Sequence, residues 1–137
     1  MPSSDELPFR PRRLCVLIVS NHPETSEMYA TFLSSKGFEV ATATYADAAN
    51  HGRDFPPDVL AADLGVPLDA AFSVCRQFKE HPSTRDIPIV ALTGYVSERI
   101  HAAAALAGCG RVLVKPVAPH EFVKAICLAL GLSTPSE

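Results

Sequence analysis

The chain has 137 residues, 47% of them apolar and 20% charged, with a formal net charge of −3. That length suits one domain around one core, and the composition fits a globular rather than a disordered chain. The acidic balance argues against nucleic acid as a direct partner, because neutralising phosphates needs a basic face. No apolar run approaches the ~20 residues of a membrane span, and the polar opening stretch lacks the apolar core of a signal peptide, so a cytoplasmic location is expected.

Residues 1–12 hold three prolines and read as a flexible lead-in, with Arg10, Arg12 and Arg13 solvated. One domain is expected over 13–132, and 133–137 reads as a frayed tail. Leu14 to Val19 (LCVLIV) is apolar on both faces and predicts a central strand. Ser20-Asn21-His22 follows, and Pro23 with Glu24 suits the first turn of a helix that runs to Lys36 and stops at Gly37. Its inward stripe is predicted as Met28, Phe32 and Leu33. Phe38 to Thr42 alternates like an edge strand, and Tyr45 to His51 reads as a short helix ended near Gly52.

The next stretch, PDVLAADLGVPLD, carries the strongest signal in the chain. Residues 58–62 predict a buried parallel strand that delivers Asp63 to its carboxyl end, with Gly65 and Pro67 holding a loop. A helix is expected over Ala70 to Glu80, with Phe72, Cys75 and Phe78 inward. The run 87–92 (IPIVAL) predicts a strand ending at Thr93-Gly94. Ser97 caps a helix through the alanine run to Ala107, stopped by Gly108. The strand at 111–114 ends at Lys115-Pro116, and Pro119 opens a last helix with Phe122, Val123, Ile126 and Leu130 inward.

Five strands alternating with five helices predict an α/β fold with a doubly wound parallel sheet, flavodoxin-like and of the (βα)5 kind, in the order 2-1-3-4-5. That order places Ser20, Asn21, Asp63, Thr93 and Lys115 in one crevice. An acceptor carboxylate, a hydroxyl and a cation at the ends of three apolar runs form a constellation; a turn residue, a cap and a surface lysine are the bland alternatives for each alone. Cys15, Cys75, Cys109 and Cys127 are dispersed, show no C-x-x-C pair or Cys/His cluster, and read as buried thiols rather than zinc ligands.

These motifs (LCVLIV with a polar pair after it, PDVLAADLGVP, IPIVALTG and AGCGRVLVKPV) resemble the receiver domain of two-component response regulators, from about Leu14 to Gly131. The resemblance implies that Asp63 accepts a phosphoryl group from a histidine kinase or phosphotransfer protein. It implies that the Thr93 hydroxyl contacts the phosphoryl oxygens, that Lys115 pairs with acceptor and phosphate, and that the Lys115–Pro116 bond is cis. In the family a Mg²⁺ ion is held by an acidic pair after the first strand, by the acceptor Asp and by the backbone carbonyl two residues beyond it.

Three departures shape the expected function. The acidic pair aligns with neutral Ser20-Asn21, which leaves Asp63, Asn21 and the Gly65 carbonyl as Mg²⁺ ligands and predicts weak or absent metal binding, since Mg²⁺ favours carboxylate oxygens. Glu24 and His22 are the other groups within a turn, with the helix dipole and a cap position as their ordinary roles. The aromatic three residues before the lysine is replaced by Val112, and Ala70-Ala71 stands where Asp-Gly is often found, leaving Asp69 as a cap or surface charge. Tyr95 would rim the crevice. The expectation is an atypical single-domain receiver with weakened Mg²⁺-dependent phosphorylation of Asp63, whose output passes to a protein partner or homodimer through the 97–130 face. The alternative is a pseudo-receiver that binds proteins without phosphate. An enzyme fits less well: an aspartyl phosphatase would want a second acid two residues past Asp63, and a flavin protein would want glycines in SNHPET.

Overall fold

The computed structural model describes residues 13–133, so the expected lead-in over 1–12 and nearly all of the tail lie outside the described residues. The elements alternate throughout: β1 (Cys15–Val19), α1 (Pro23–Ser35), β2 (Glu39–Ala43), α2 (Tyr45–Asp54), β3 (Val59–Leu64), α3 (Leu68–Glu80), β4 (Ile89–Thr93), α4 (Glu98–Leu106), β5 (Arg111–Val114) and α5 (Pro119–Ala129). The five strands form one parallel sheet in the order β2-β1-β3-β4-β5, as the pattern predicts.

The strand sequences explain that order. Every residue of β3 and β4 is buried, and only Cys15 of β1 is not, so these three apolar segments need cover on both faces. The shorter or alternating β2 and β5 take the edges. Side chains then sort by alternation. Leu60, Ala62 and Leu64 of β3 join a core with Tyr45, Ala48, Phe72, Cys75, Phe78 and Ala104 under α2, α3 and α4. Val59 and Ala61 join a second core with Tyr29, Leu33, Phe122, Val123 and Ile126 under α1 and α5. Asp63 continues the second set, at the carboxyl edge of the sheet.

Several boundaries differ from the sequence expectation. β3 runs two residues further, to Leu64, so Asp63 lies within the strand rather than just past it. α3 starts at Leu68 because Pro67, with φ −80° and ψ 130°, takes the N-cap position. α2 does not end near Gly52 but continues to Asp54. Gly52 permits close approach of α3 there: a Cβ on it would stand 2.3 Å from Cζ of Phe78. β2 lies one residue later than expected, and β4 begins only after Pro88. In α1, Met28 is 52% exposed and Tyr29 takes the inward position instead, its ring 4.6 Å from that of Phe122. Ser97 caps α4 as expected, its Oγ accepting from the Arg99 N–H at 3.2 Å. The Lys115–Pro116 bond is cis, and so is Val66–Pro67.

Candidate functional site

Parallel strands bring their carboxyl ends to one edge, and the register fixes what meets there. Leu64 pairs with Thr93, and Thr93 pairs with Val114, so Asp63, Thr93 and Lys115 arrive within one residue of the same level. Val19 lies across from Ala62, which puts Ser20 beside Asp63. The sheet thereby gathers Ser20, Asp63, Thr93 and Lys115 in one cleft.

Asp63 is only 1% exposed, and both of its carboxylate oxygens are engaged. Oδ1 is ion-paired with Nζ of Lys115, whose side chain is 31% exposed. Oδ2 accepts a 2.7 Å hydrogen bond from the hydroxyl of Ser20, itself buried. The same Ser20 Oγ accepts from the His22 N–H at 3.0 Å. Charge-assisted bonds of this kind are the strong ones, and a carboxylate so placed needs nothing further to be tolerated in the interior.

Thr93 is fully buried; its Oγ1 accepts from the Tyr95 N–H at 3.1 Å and its carbonyl from the Lys115 N–H at 2.7 Å. The threonine therefore shapes its own β4–α4 turn and seats the lysine. Tyr95 is 41% exposed at the rim, and its carbonyl meets Nε2 of His101 at 3.2 Å. Val112 is partly buried and packs on the core beneath α4.

Asn21 does not face Asp63. Its Oδ1 accepts the Tyr45 N–H at 3.0 Å, so the amide oxygen serves the first N–H of α2. Glu24 is exposed in the first turn of α1, and His22 stands at that helix's N-cap. The His22 ring lies over the loop after β3, since a Cβ on Gly65 would be 3.6 Å from its Nε2. Asp69 is exposed in the first turn of α3.

Tyr45 is a site residue that sequence reasoning used only as a helix start. Its hydroxyl donates to the main-chain carbonyl of Asp63 and accepts from the Gly65 N–H at 2.8 Å. Burial pushes its phenol pKa up, partly offset by the Gly65 N–H, and the Asp63 carboxylate adds to the rise. Tyr29 on α1 is raised in the same way, first by burial and then by Asp63. Two buried phenols thus flank the strand end. The available signal was position: Tyr45 follows Thr44 at the carboxyl end of the second strand, the same edge that carries Asp63.

The donor set does not fit the Mg²⁺ site that the resemblance implies. Both carboxylate oxygens of Asp63 are engaged, and Asn21 has turned to α2. Among the described residues no group of three or more His, Cys, Asp or Glu side chains could hold a metal ion. The amide oxygen of Asn21, expected as a metal ligand, is taken up in this structure by the Tyr45 N–H.

A doubly wound sheet with an acid, a threonine and a lysine at the ends of its third, fourth and fifth strands defines a receiver-type protein. The sequence profile of the response regulator receiver domain matches residues 16–127, and the chain belongs to that family. It is 30% identical over 118 residues to an uncharacterised 14.6 kDa protein from the sodA1 3′ region of Leptolyngbya boryana, covering 83% of this chain and 90% of that one. It is 23% identical to the polar-differentiation response regulator DivK of Brucella ovis, covering 85% and 95%. Among solved structures it is similar in fold to the chemotaxis protein CheY4 of Vibrio cholerae, with a TM-score of 0.81 and 24% identity over 87% of this chain and 100% of that one. The protein is a receiver domain of two-component signalling, a class that interacts with histidine kinases or phosphotransfer proteins. Among the described residues no helix is long and apolar enough to cross a membrane.

Proposed function

We propose that this chain is an atypical receiver whose phosphoacceptor, Asp63, is held in reserve by its own hydrogen bonds, and that its output is protein–protein interaction rather than catalysis. The observation that carries this reading is the double engagement of the Asp63 carboxylate by Ser20 and Lys115. In the transfer, one Asp63 oxygen attacks the phosphorus of a phosphohistidine. The P–N bond breaks, and the imidazole leaves with the electron pair and takes up a proton. Lys115 then shifts from the carboxylate to a phosphoryl oxygen, and Thr93 turns its hydroxyl from the Tyr95 N–H towards another.

The attack requires Oδ2 to leave Ser20 or Oδ1 to leave Lys115. Breaking one charge-assisted bond costs ~1.5–3 kcal/mol, which slows transfer roughly tenfold to a hundredfold. With no carboxylate pair to recruit a divalent ion, that cost is not offset, so phosphorylation is weak. The output surface is the α4–β5–α5 side, where Val96 and Leu106 are 82% and 89% exposed and Val114 and Leu128 are also in solvent. Exposed apolar groups of this kind suit a partner or a second copy.

Intact mass after incubation with acetyl phosphate, with and without Mg²⁺ and beside Asp63→Ala, tests the reading. A slow phosphate-sized gain that is lost in Asp63→Ala, and that accelerates in the Ser20→Asp/Asn21→Asp variant with Mg²⁺, is expected. No gain in either form, with the fold intact, would replace it by the pseudo-receiver, a binding module that works without phosphate.

A further inference from the structure

The two core cysteines beneath α4 meet. Cys75 lies on the inward face of α3 and Cys109 in the turn that leads α4 into β5, and their Sγ atoms are 3.8 Å apart across 34 residues of sequence. All four cysteines of the chain stand as thiols, and this is the pair in hydrogen-bond contact. Neither takes part in the phosphoryl site.

We propose that Cys75 and Cys109 form a peroxide-sensitive dithiol that closes to a disulfide and ties α3 to the α4–β5 turn. A disulfide has its sulfurs ~2.05 Å apart, so closure needs a movement of roughly 1.8 Å, within reach of side-chain rotation helped by a small shift of a turn. The turn can supply that shift: Cys109 sits between Gly108, at φ 106°, and Gly110, which is exposed.

The surroundings assign the roles. Cys75 has no exposure, while Cys109 retains 7% at the turn. The stem of Lys79 packs against Gly108, and its ammonium donates to the carbonyls of Ile87 and Arg85 beside the turn. The Cys75 partner and the Lys79 charge favour the Cys109 thiolate over the opposing effect of burial, while its proton-sharing with Cys109 and burial push Cys75 up. Cys109, the one of the two that reaches solvent, is the attacking sulfur. Its thiolate displaces hydroxide from a hydroperoxide O–O bond and becomes a sulfenic acid. The Cys75 sulfur then attacks that sulfur, forming S–S and expelling the second oxygen as water, with the Cys75 proton going to the leaving hydroxide. Two thiols are oxidised and one peroxide is reduced to two waters. A buried pair that joins elements by one local bond, in a chain whose cysteines all stand as thiols, fits reversible sensing better than permanent cross-linking.

The test treats the full chain with graded hydrogen peroxide, unfolds it, alkylates remaining thiols and reads intact mass and peptides without reduction. The expected result is loss of two alkylatable thiols of the four, a linked Cys75–Cys109 peptide, full reversal by dithiothreitol and a raised Tm in the oxidised form. Cys75→Ala should stop at the Cys109 sulfenic acid, trapped by dimedone, and Cys109→Ala should show neither product at the same dose. Circular dichroism checks that both variants fold; Cys75→Val and Cys109→Ser provide second versions. All four thiols still alkylated after peroxide, a link through Cys15 or Cys127, or dimedone labelling of Cys75 rather than Cys109 would overturn the proposal.

Discussion

Removing the Ser20 hydroxyl gives the sharpest test of how Asp63 is held. Ser20 is 4% exposed and Asp63 1%, so water cannot replace the 2.7 Å bond once it is cut. A hydrogen bond to a charged group contributes ~1.5–3 kcal/mol. The hydroxyl oxygen also accepts from the N–H of His22, an exposed residue, and solvent can take over that donor. Ser20→Ala should therefore destabilise by ~2 kcal/mol, with little from volume because only one oxygen is removed. A double-mutant cycle with Asp63→Ala isolates the pair, and the coupling should be ~1.5 kcal/mol. Urea unfolding of the four proteins at neutral pH gives the number. A coupling below ~0.5 kcal/mol, the usual scatter for independent sites, would mean that Ser20 does not hold the carboxylate and would remove the physical basis for a reserved acceptor.

Three further outcomes can be checked on the same footing. Gly52→Ala should destabilise despite the helix-propensity gain of ~1 kcal/mol, because the new Cβ would meet the buried Phe78 ring at 2.3 Å and overpacking costs ~1–3 kcal/mol; Gly52→Ala combined with Phe78→Leu should recover part of the loss in urea melts. Phe122→Ala, which empties a site with no exposure under α1 and α5, should cost ~3–5 kcal/mol and lower the melting temperature. The phenols of Tyr29 and Tyr45 have folded pKa values above their ordinary 10.0. The folded state thus binds more protons than the unfolded one above that pH, and stability that is complete below pH 10 should fall as pH rises beyond it. Each lagging phenol contributes a slope of up to ~1.4 kcal/mol per pH unit. Tyr45→Phe should flatten that slope in alkaline urea titrations and also cost ~1 kcal/mol at neutral pH through loss of the Asp63–Gly65 bridge.

The topology was legible because the interior strands are apolar on both faces and the edge strands are not, a contrast that LCVLIV against FEVAT makes plain. Asp63, Thr93 and Lys115 were legible for the same reason: each stands at the end of an apolar run, and a parallel sheet aligns such ends. The direction of Asn21 was not, because its partner is a backbone N–H 24 residues away, a donor that any residue there would supply. Nor was the exchange of Met28 for Tyr29. Adjacent helix positions differ by ~100°, both suit the border of a broad apolar stripe, and only the Phe122 ring across the layer decides between them. Tyr45 looked like a helix start because nothing local reveals that its hydroxyl closes the turn after β3. The cysteine contact was out of reach as well, since it depends on where α3 and the α4–β5 turn cross rather than on spacing.

The Ser20–Asp63–Lys115 arrangement has a consequence for the standing electrostatics of the cleft. Several carboxylates crowded at one strand edge repel one another, and the compact state carries that strain until a cation arrives. Here one anion faces one cation and a hydroxyl dipole. The floor of the cleft is neutral by itself, so its like-charge repulsion has already been relieved within the chain. What a divalent ion would ordinarily supply as charge neutralisation, the fold contains as its own ion pair and hydrogen bond, and chelator should leave its melting temperature nearly unmoved.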